Sequence, residues 1–178
     1  MLNFTSYINQ DKKRLIIFVV ALIITIGIFR AFTFRNIDYK YSGVRYQVGN
    51  SGYEEPVNIE IKGKYTIGFF SSFDKFDGKI IIEDKVFDYS DFIQEVDNYK
   101  KIPLTLKSGD KSIYGDLFYN NVFKQVTISI RDQEGSSQYS WSNKDGILIS
   151  APCKNREQAV EISNILIPKK YRNSNNLE

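Results

Sequence analysis

The sequence predicts a mainly β domain, a sandwich or barrel of antiparallel strands with one or two short helices, preceded by a single N-terminal transmembrane helix. Three observations predict this class: an uncharged apolar run near the N-terminus, period-two alternation of apolar and polar residues after residue 36, and turn residues between the alternating segments. Of the 178 residues, 42% are hydrophobic and 15% aromatic, so the chain has enough apolar side chains to bury a core.

The N-terminal apolar run predicts a membrane anchor. Residues Leu15 to Phe29 are uncharged, and extending the run through Arg30 to Phe34 gives 20 residues, about the length that crosses the hydrocarbon core as a helix. Arg30 is expected to extend its charge to the interface, where Phe34 also lies. A buried globular helix would carry a polar stripe, which this run lacks. We therefore expect a short tail over 1–14 and a transmembrane helix over 15–34.

A cleaved signal peptide is the alternative interpretation, because a charged segment over 11–14 precedes the apolar run. The small residues needed for cleavage are missing after Phe29, which favours an uncleaved signal-anchor. The basic residues Lys12, Lys13 and Arg14 adjoin the helix within a short tail, so we expect the N-terminus inside and the large domain outside the cytoplasm. Basic residues on the other flank are nearly as numerous and leave a cytoplasmic-facing domain as the alternative.

The domain expected over 35–168 has about eight short strands. One hairpin is predicted between 112–119 and 122–131, because Asn120 and Asn121 tolerate the backbone conformations of a tight turn. A second hairpin is predicted between 138–141 and 147–149.

Two helices are also predicted. A short one is capped by Ser90 and reaches Tyr99, and a longer one runs from Asn155 to about Ile167, where Pro168 stops it. The polar tail over 169–178 is expected to be frayed.

Charge and composition exclude several functions. Residues 1–35 contain five basic and one acidic residue, a net charge of +4, whereas residues 36–178 contain 19 basic and 20 acidic residues, a net charge of −1. The domain therefore lacks the positive charge that a nucleic-acid binder needs. The absence of histidine excludes Ser-His and Cys-His nucleophilic systems, and Cys153, as the single cysteine, excludes an intramolecular disulfide and a thiolate cluster. We expect Cys153 to be an inert buried thiol, and we predict no catalytic, cofactor or metal residues.

Two local patterns were weighed as sites. Residues Ser72 to Lys75 superficially resemble the S-x-x-K motif of penicillin-binding proteins and β-lactamases, but the sequence context predicts a turn between strands instead of the required helix start. The acidic residues over 74–91 match turn and cap chemistry better than calcium spacing. The candidate ligand surface combines two aromatic and two acidic residues: Tyr139, Trp141, Asp74 and Asp77.

These features predict a membrane-tethered, extracytoplasmic β-rich binding module of a bacterial cell envelope. The bacterial assignment rests on the abundance of Lys, Ile and Asn, which is typical of an AT-rich genome. Its expected partners are the lipid bilayer, through the N-terminal helix, and an envelope protein or wall polymer. A carboxylate-dependent envelope hydrolase is the alternative, since such enzymes carry no local motif.

Overall fold

The computed structural model describes residues 4–68, 74–96, 99–106, 113–131, 141–172 and 176–178. The chain divides into two compact units between Arg35 and Asn36. In the first unit, helix α1 spans Phe4–Thr33. The transmembrane helix expected over 15–34 is not supported, since none of the described helices is long and apolar enough to cross a membrane.

The second unit is built on nine antiparallel strands that form one nearly closed, barrel-like sheet. This confirms the mainly β class and selects a barrel over a sandwich. In chain order the strands are β1 Phe34–Gln47, β2 Asn50–Thr66, β3 Lys75–Ile82, β4 Lys85–Phe92, β5 Gln94–Val96, β6 Tyr99–Thr105, β7 Ile113–Asn120, β8 Gln125–Ile130 and β9 Ile147–Ala151.

The order of the strands explains why the sheet curls into a barrel. Across the sheet the order is β4-β3-β2-β1-β9-β8-β7-β6-β5, so β4 and β5 lie at opposite edges. In the chain, these two strands are separated by Ile93 alone. Because one residue spans only a few ångströms, the two edges of the sheet must meet there. The inward-facing side chains consequently form a single buried core.

The helix expected from Ser90 is wrong, because these residues lie in β4 and β5. Strand β4 pairs with β3 along its length, with Phe87 opposite Ile80 and Asp88 opposite Lys79. The inward side chain of Phe87 is buried, while Phe92, which a helical pattern places on the buried face, is 55% exposed. Pairing with β3 thus overrides the local helical spacing.

The predicted hairpin of β7 and β8 is confirmed, but its turn is longer than expected. Asn120 pairs with Gln125, and four residues connect the strands. The turn residues Asn121, Val122 and Phe123 all have positive φ, between 41° and 66°. This unfavourable backbone turns Phe123 into the core, where it is fully buried. Its ring lies 4.1 Å from that of Tyr119.

The second predicted hairpin is wrong in the part that the structure describes. Residues 138–140 lie outside the described residues, and Trp141 is not in a strand. Strand β9 instead pairs with β8 on one side and with β1 on the other.

Helix α2, Arg156–Leu166, confirms the second predicted helix. The Asn155 side chain accepts a hydrogen bond from the Gln158 N–H at 3.0 Å, which caps the first turn. Ala159, Ile162 and Leu166 are buried as their spacing predicts. The helix covers the outer face of the barrel, where it forms a second cluster with outward-facing residues of β1, β7 and β9: Val44, Tyr46, Phe118 and Leu148.

The C-terminal segment is packed, contrary to the expectation that it is frayed. A 3₁₀-helix spans Lys169–Arg172, and Arg172 and Leu177 are buried. The Arg172 guanidinium donates to the Ile167 carbonyl at 3.1 Å and to the Asn164 side-chain oxygen at 2.8 Å. The Gly49 N–H donates to the Glu178 carbonyl at 3.1 Å. The residues after Pro168 therefore belong to the folded domain.

We expect Phe123→Ala to lower the free energy of unfolding of the chain from Asn36 onward by about 3–5 kcal/mol, because it leaves a cavity among aromatic rings. The control Phe92→Ala removes an exposed ring and should cost less than about 1 kcal/mol. Urea unfolding followed by circular dichroism measures both. Equal losses in the two variants would show that Phe123 does not fill the barrel.

We expect Leu177→Ala to cost about 2 kcal/mol, at the low end for a buried leucine because the site lies near a chain end. The control Ile165→Ala removes a side chain that is 51% exposed on α2 and should change the stability by less than about 1 kcal/mol. Thermal unfolding compares the two variants. An unchanged midpoint in Leu177→Ala would mean that the tail contributes nothing to the fold.

Candidate functional site

The structure separates the residues of the candidate ligand surface. Asp74 is buried at one end of the barrel, whereas Asp77 is exposed on β3. Trp141 lines a groove beside α2, and Tyr139 lies outside the described residues. Asp74 and Trp141 share no contact, so the described members do not form one surface.

Asp74 connects distant strands at the place where the barrel closes. Its carboxylate accepts hydrogen bonds from the Tyr65 hydroxyl at 2.5 Å, from the Gly68 N–H at 3.0 Å and from Lys100 Nζ. Its backbone carbonyl accepts from the Ile93 N–H at 2.7 Å. These partners come from β2, the residues after β2, β6 and the β4–β5 junction. We call this set the Asp74 network.

The Asp74 network shifts the pKa of its members in a stabilising direction. Burial alone would raise the pKa of Asp74, but the hydrogen bonds from Lys100, Tyr65 and Gly68 outweigh it and lower the pKa. Burial would lower the pKa of Lys100, but the hydrogen bond to Asp74 raises it above its ordinary value of 10.5. Burial raises the pKa of Tyr65 to about 12. At neutral pH the network thus joins a carboxylate, an ammonium and a neutral phenol, which suits a structural link.

The groove beside α2 is a cavity of about 220 Å³ on the outer face of the barrel. Its floor comes from neighbouring strands β7 and β8, and its walls come from the segment before β9 and from the C-terminal segment. Its lining residues are Asp116, Phe118, Ser129, Arg131, Trp141, Ile167 and Tyr171. The Phe118 and Tyr171 rings are 5.9 Å apart in an edge-on arrangement. The groove therefore combines aromatic side chains with a carboxylate and a guanidinium.

Cross-strand register places Asp116 between two cations. Asp116 lies opposite Ser129 of β8 and opposite Pro103 of β6, so Lys101 and Arg131 occupy diagonal positions on the same outer face. Arg131 donates to Asp116 Oδ2 at 2.6 Å, and Lys101 Nζ lies 3.3 Å from Asp116 Oδ1. The Asp116 side chain is only 8% exposed. The two cations hold this carboxylate in a fixed orientation at the cavity.

Two buried polar atoms at the groove lack a hydrogen-bond partner among the described residues. They are Asp116 Oδ1 and Trp141 Nε1. The Asp116 oxygen has its ion-pair contact with Lys101, but that contact does not have hydrogen-bond geometry. A buried donor or acceptor without a partner costs about 1–3 kcal/mol. The groove thus presents one acceptor and one donor that a bound molecule can satisfy.

Other candidate chemistry finds no support in the described part of the chain. No group of three or more His, Cys, Asp or Glu there is placed to hold a metal ion. Cys153 is buried, and its thiol donates to the Ser150 carbonyl at 3.0 Å. Burial raises the pKa of Cys153 to about 11, which suppresses the reactive thiolate at neutral pH and agrees with the expected inert thiol.

Sequence reasoning identified Trp141 but missed Asp116, Arg131 and Tyr171. One signal for Asp116 was present, because an acidic residue interrupts an apolar stretch of β7 in which Gly115 to Tyr119 are all buried. An acidic residue in such a strand requires partners. The partners themselves depend on strand register, which the local sequence does not show.

Comparison with protein-family models, with curated proteins and with solved structures finds no match to this chain. The argument for function therefore rests on the geometry of the described residues.

We expect Asp74→Asn to lower the free energy of unfolding by about 1–3 kcal/mol at pH 7, because the half-buried Lys100 loses its counter-charge. Lys100 is 37% exposed at its side chain, and solvent screening places the loss toward the lower value. The matched control is Asp88→Asn on β4, whose contact with Lys79 at 3.8 Å lies on the exposed face. That variant should change stability by less than about 0.5 kcal/mol. Urea unfolding measures both, and equal losses would show that the Asp74 network does not stabilise the barrel.

The lowered pKa of Asp74 predicts a specific pH dependence. Its stabilising contribution is fully present above the ordinary aspartate value of 3.8 and is lost as the pH falls below that value through the folded-state pKa. The difference in stability between the unsubstituted chain and Asp74→Asn should therefore stay constant from pH 7 to about pH 5 and shrink below about pH 4. A difference that persists unchanged in strong acid would contradict the assignment.

Proposed function

We propose that this chain is a membrane-tethered binding module: helix α1 anchors it to a lipid bilayer, and the barrel binds a ligand in the groove beside α2. The observation that carries the binding function is the pair of buried, unsatisfied polar atoms, Asp116 Oδ1 and Trp141 Nε1, at one aromatic cavity. A carboxylate held by two cations and left with acceptor capacity is suited to orienting a ligand.

The exposed surface of α1 supports a lipid partner. Between Leu15 and Phe29 the large apolar side chains are 44% to 68% exposed, and no charged residue interrupts them. Water-exposed apolar surface of this extent marks an interaction site. The uncharged run of 15 residues covers about 22 Å as a helix, less than the roughly 30 Å hydrocarbon core. In this proposal the helix continues past Arg30, whose charge reaches the interface.

The positions of the carboxylates support binding over hydrolysis. A glycosidase-type reaction needs two carboxyl groups facing one substrate. Asp74 is buried and committed to three donors, whereas Asp77, Asp88 and Asp91 are exposed on β3 and β4. In the groove, Asp116 is the single carboxylate among the lining residues.

The location of the domain follows from the charges that flank the helix. Lys12, Lys13 and Arg14 adjoin the apolar run on the side of the short tail. The positive-inside rule then places the barrel outside the cytoplasm, in a bacterial cell envelope. Its ligand belongs to the same compartment, as an envelope protein or wall polymer.

We expect the full chain to stay in the membrane fraction after alkaline carbonate extraction, because its apolar run lies in the hydrocarbon core. The chain that begins at Asn36 is the control and should be released to the soluble fraction. Recovery of the full chain in the soluble fraction would contradict the tether.

The same full chain, fused after Glu178 to a reporter that is active only outside the cytoplasm, tests orientation. Activity is the expected result, together with removal of the barrel by protease added to intact protoplasts. Protection of the barrel would reverse the orientation.

A further inference from the structure

The hydrogen-bonding pattern of the groove restricts the chemistry of its ligand. Asp116 Oδ1 needs a donor, and Trp141 Nε1 needs an acceptor. A hydroxyl group supplies both functions, because its proton can be donated to the carboxylate while its oxygen accepts from an N–H. A ligand with several hydroxyl groups therefore satisfies both atoms without carrying a charge.

The aromatic side chains add a requirement for an apolar surface. Trp141, Tyr171 and Phe118 all line the cavity, and the Tyr171 side chain is 37% exposed. Aromatic rings gain free energy by covering flat apolar surface, and a pyranose ring offers C–H groups on its faces and hydroxyl groups at its edge. The cavity volume of about 220 Å³ lies below the 300–1,000 Å³ of sites for larger ligands. One ring fits this size better than a whole cofactor.

Charge favours a neutral ring. A cationic ligand would meet Lys101 and Arg131, and an anionic ligand would meet the Asp116 carboxylate. Like charges in close contact weaken binding. Because both cations already contact Asp116, the described charges compensate one another at the groove floor.

An extended peptide is less well accommodated. Peptides that bind sheets add a strand at a free edge and use main-chain hydrogen bonds. The groove lies over β7 and β8, and each of these strands is already paired on both sides. The groove floor therefore offers side chains and no free strand edge.

From these observations we infer that the groove binds a neutral pyranose ring as one unit of a polysaccharide. The inference rests on the proposed function, because it names the ligand class of the same groove. The ring stacks on the aromatic side chains, and one of its hydroxyl groups bridges Asp116 and Trp141.

Trp141 is the only tryptophan of the chain, so its fluorescence reports directly on the groove. The full chain in detergent micelles is titrated with glucose, N-acetylglucosamine and soluble oligomers of each. We expect a saturable change in tryptophan emission, with oligomers binding at least as tightly as the single sugars. No emission change with any of these sugars would overturn the inference.

Three variants test the geometry by calorimetric titration with the tightest of these sugars. Tyr171→Ala removes a partly exposed ring and should weaken binding about tenfold. Trp141→Phe keeps an aromatic ring but removes the N–H donor, and should weaken binding by about three- to tenfold. Phe92→Ala, which removes an exposed ring on β4, should leave the affinity unchanged. Equal affinity in all three variants would place any sugar binding elsewhere and overturn the inference.

A photo-crosslinking residue at position 171 in cells separates this inference from the proposed function. A specific protein adduct at that position, with no response to sugars, would overturn the sugar inference and leave a binding module with a protein partner. The absence of both a sugar response and an adduct would overturn both proposals.

Discussion

The architecture of the second unit depends on the closure of its sheet through Ile93. Strands β4 and β5 are the two edges of the sheet, yet one residue connects them in the chain. This constraint makes the inward-facing side chains converge on one enclosed core, which large side chains must fill. Tyr65, Phe76 and Phe123 do so and are fully buried. The Asp74 network secures the same closure with polar contacts from strands that are distant in the sheet order.

The alternation of side chains along a strand allows the barrel to combine stability and binding. In β7, Leu117 and Tyr119 point into the core, while Asp116 and Phe118 between them point outward to the α2 side. The interior of the barrel thus fixes the positions of the groove residues. The paired cations on β6 and β8 then orient the Asp116 carboxylate without any loop having to position it.

The backbone of the β7–β8 turn shows how much the core depends on a single inserted ring. Three consecutive residues adopt positive φ, and Val122 is β-branched and poorly suited to that conformation. The compensation comes from Phe123, whose ring contacts Tyr119 and Phe76 and whose carbonyl accepts a hydrogen bond from Tyr41 at 3.0 Å. Long-range packing therefore selects a turn that local preferences disfavour.

The sequence by itself determined the features that depend on neighbouring residues. Period-two alternation identified the β class, the β7–β8 hairpin followed from its turn residues, and α2 was located by the Asn155 cap and its apolar spacing. Tertiary structure alone decided between barrel and sandwich and turned the segment after Ser90 from a predicted helix into strands, because both outcomes depend on pairing with β3 and on closure at Ile93. Of the candidate site, the sequence supplied Trp141, whereas Asp116 and its cations come together only through register. A one-residue change in that register would place these side chains on the opposite face, and no local pattern encodes it.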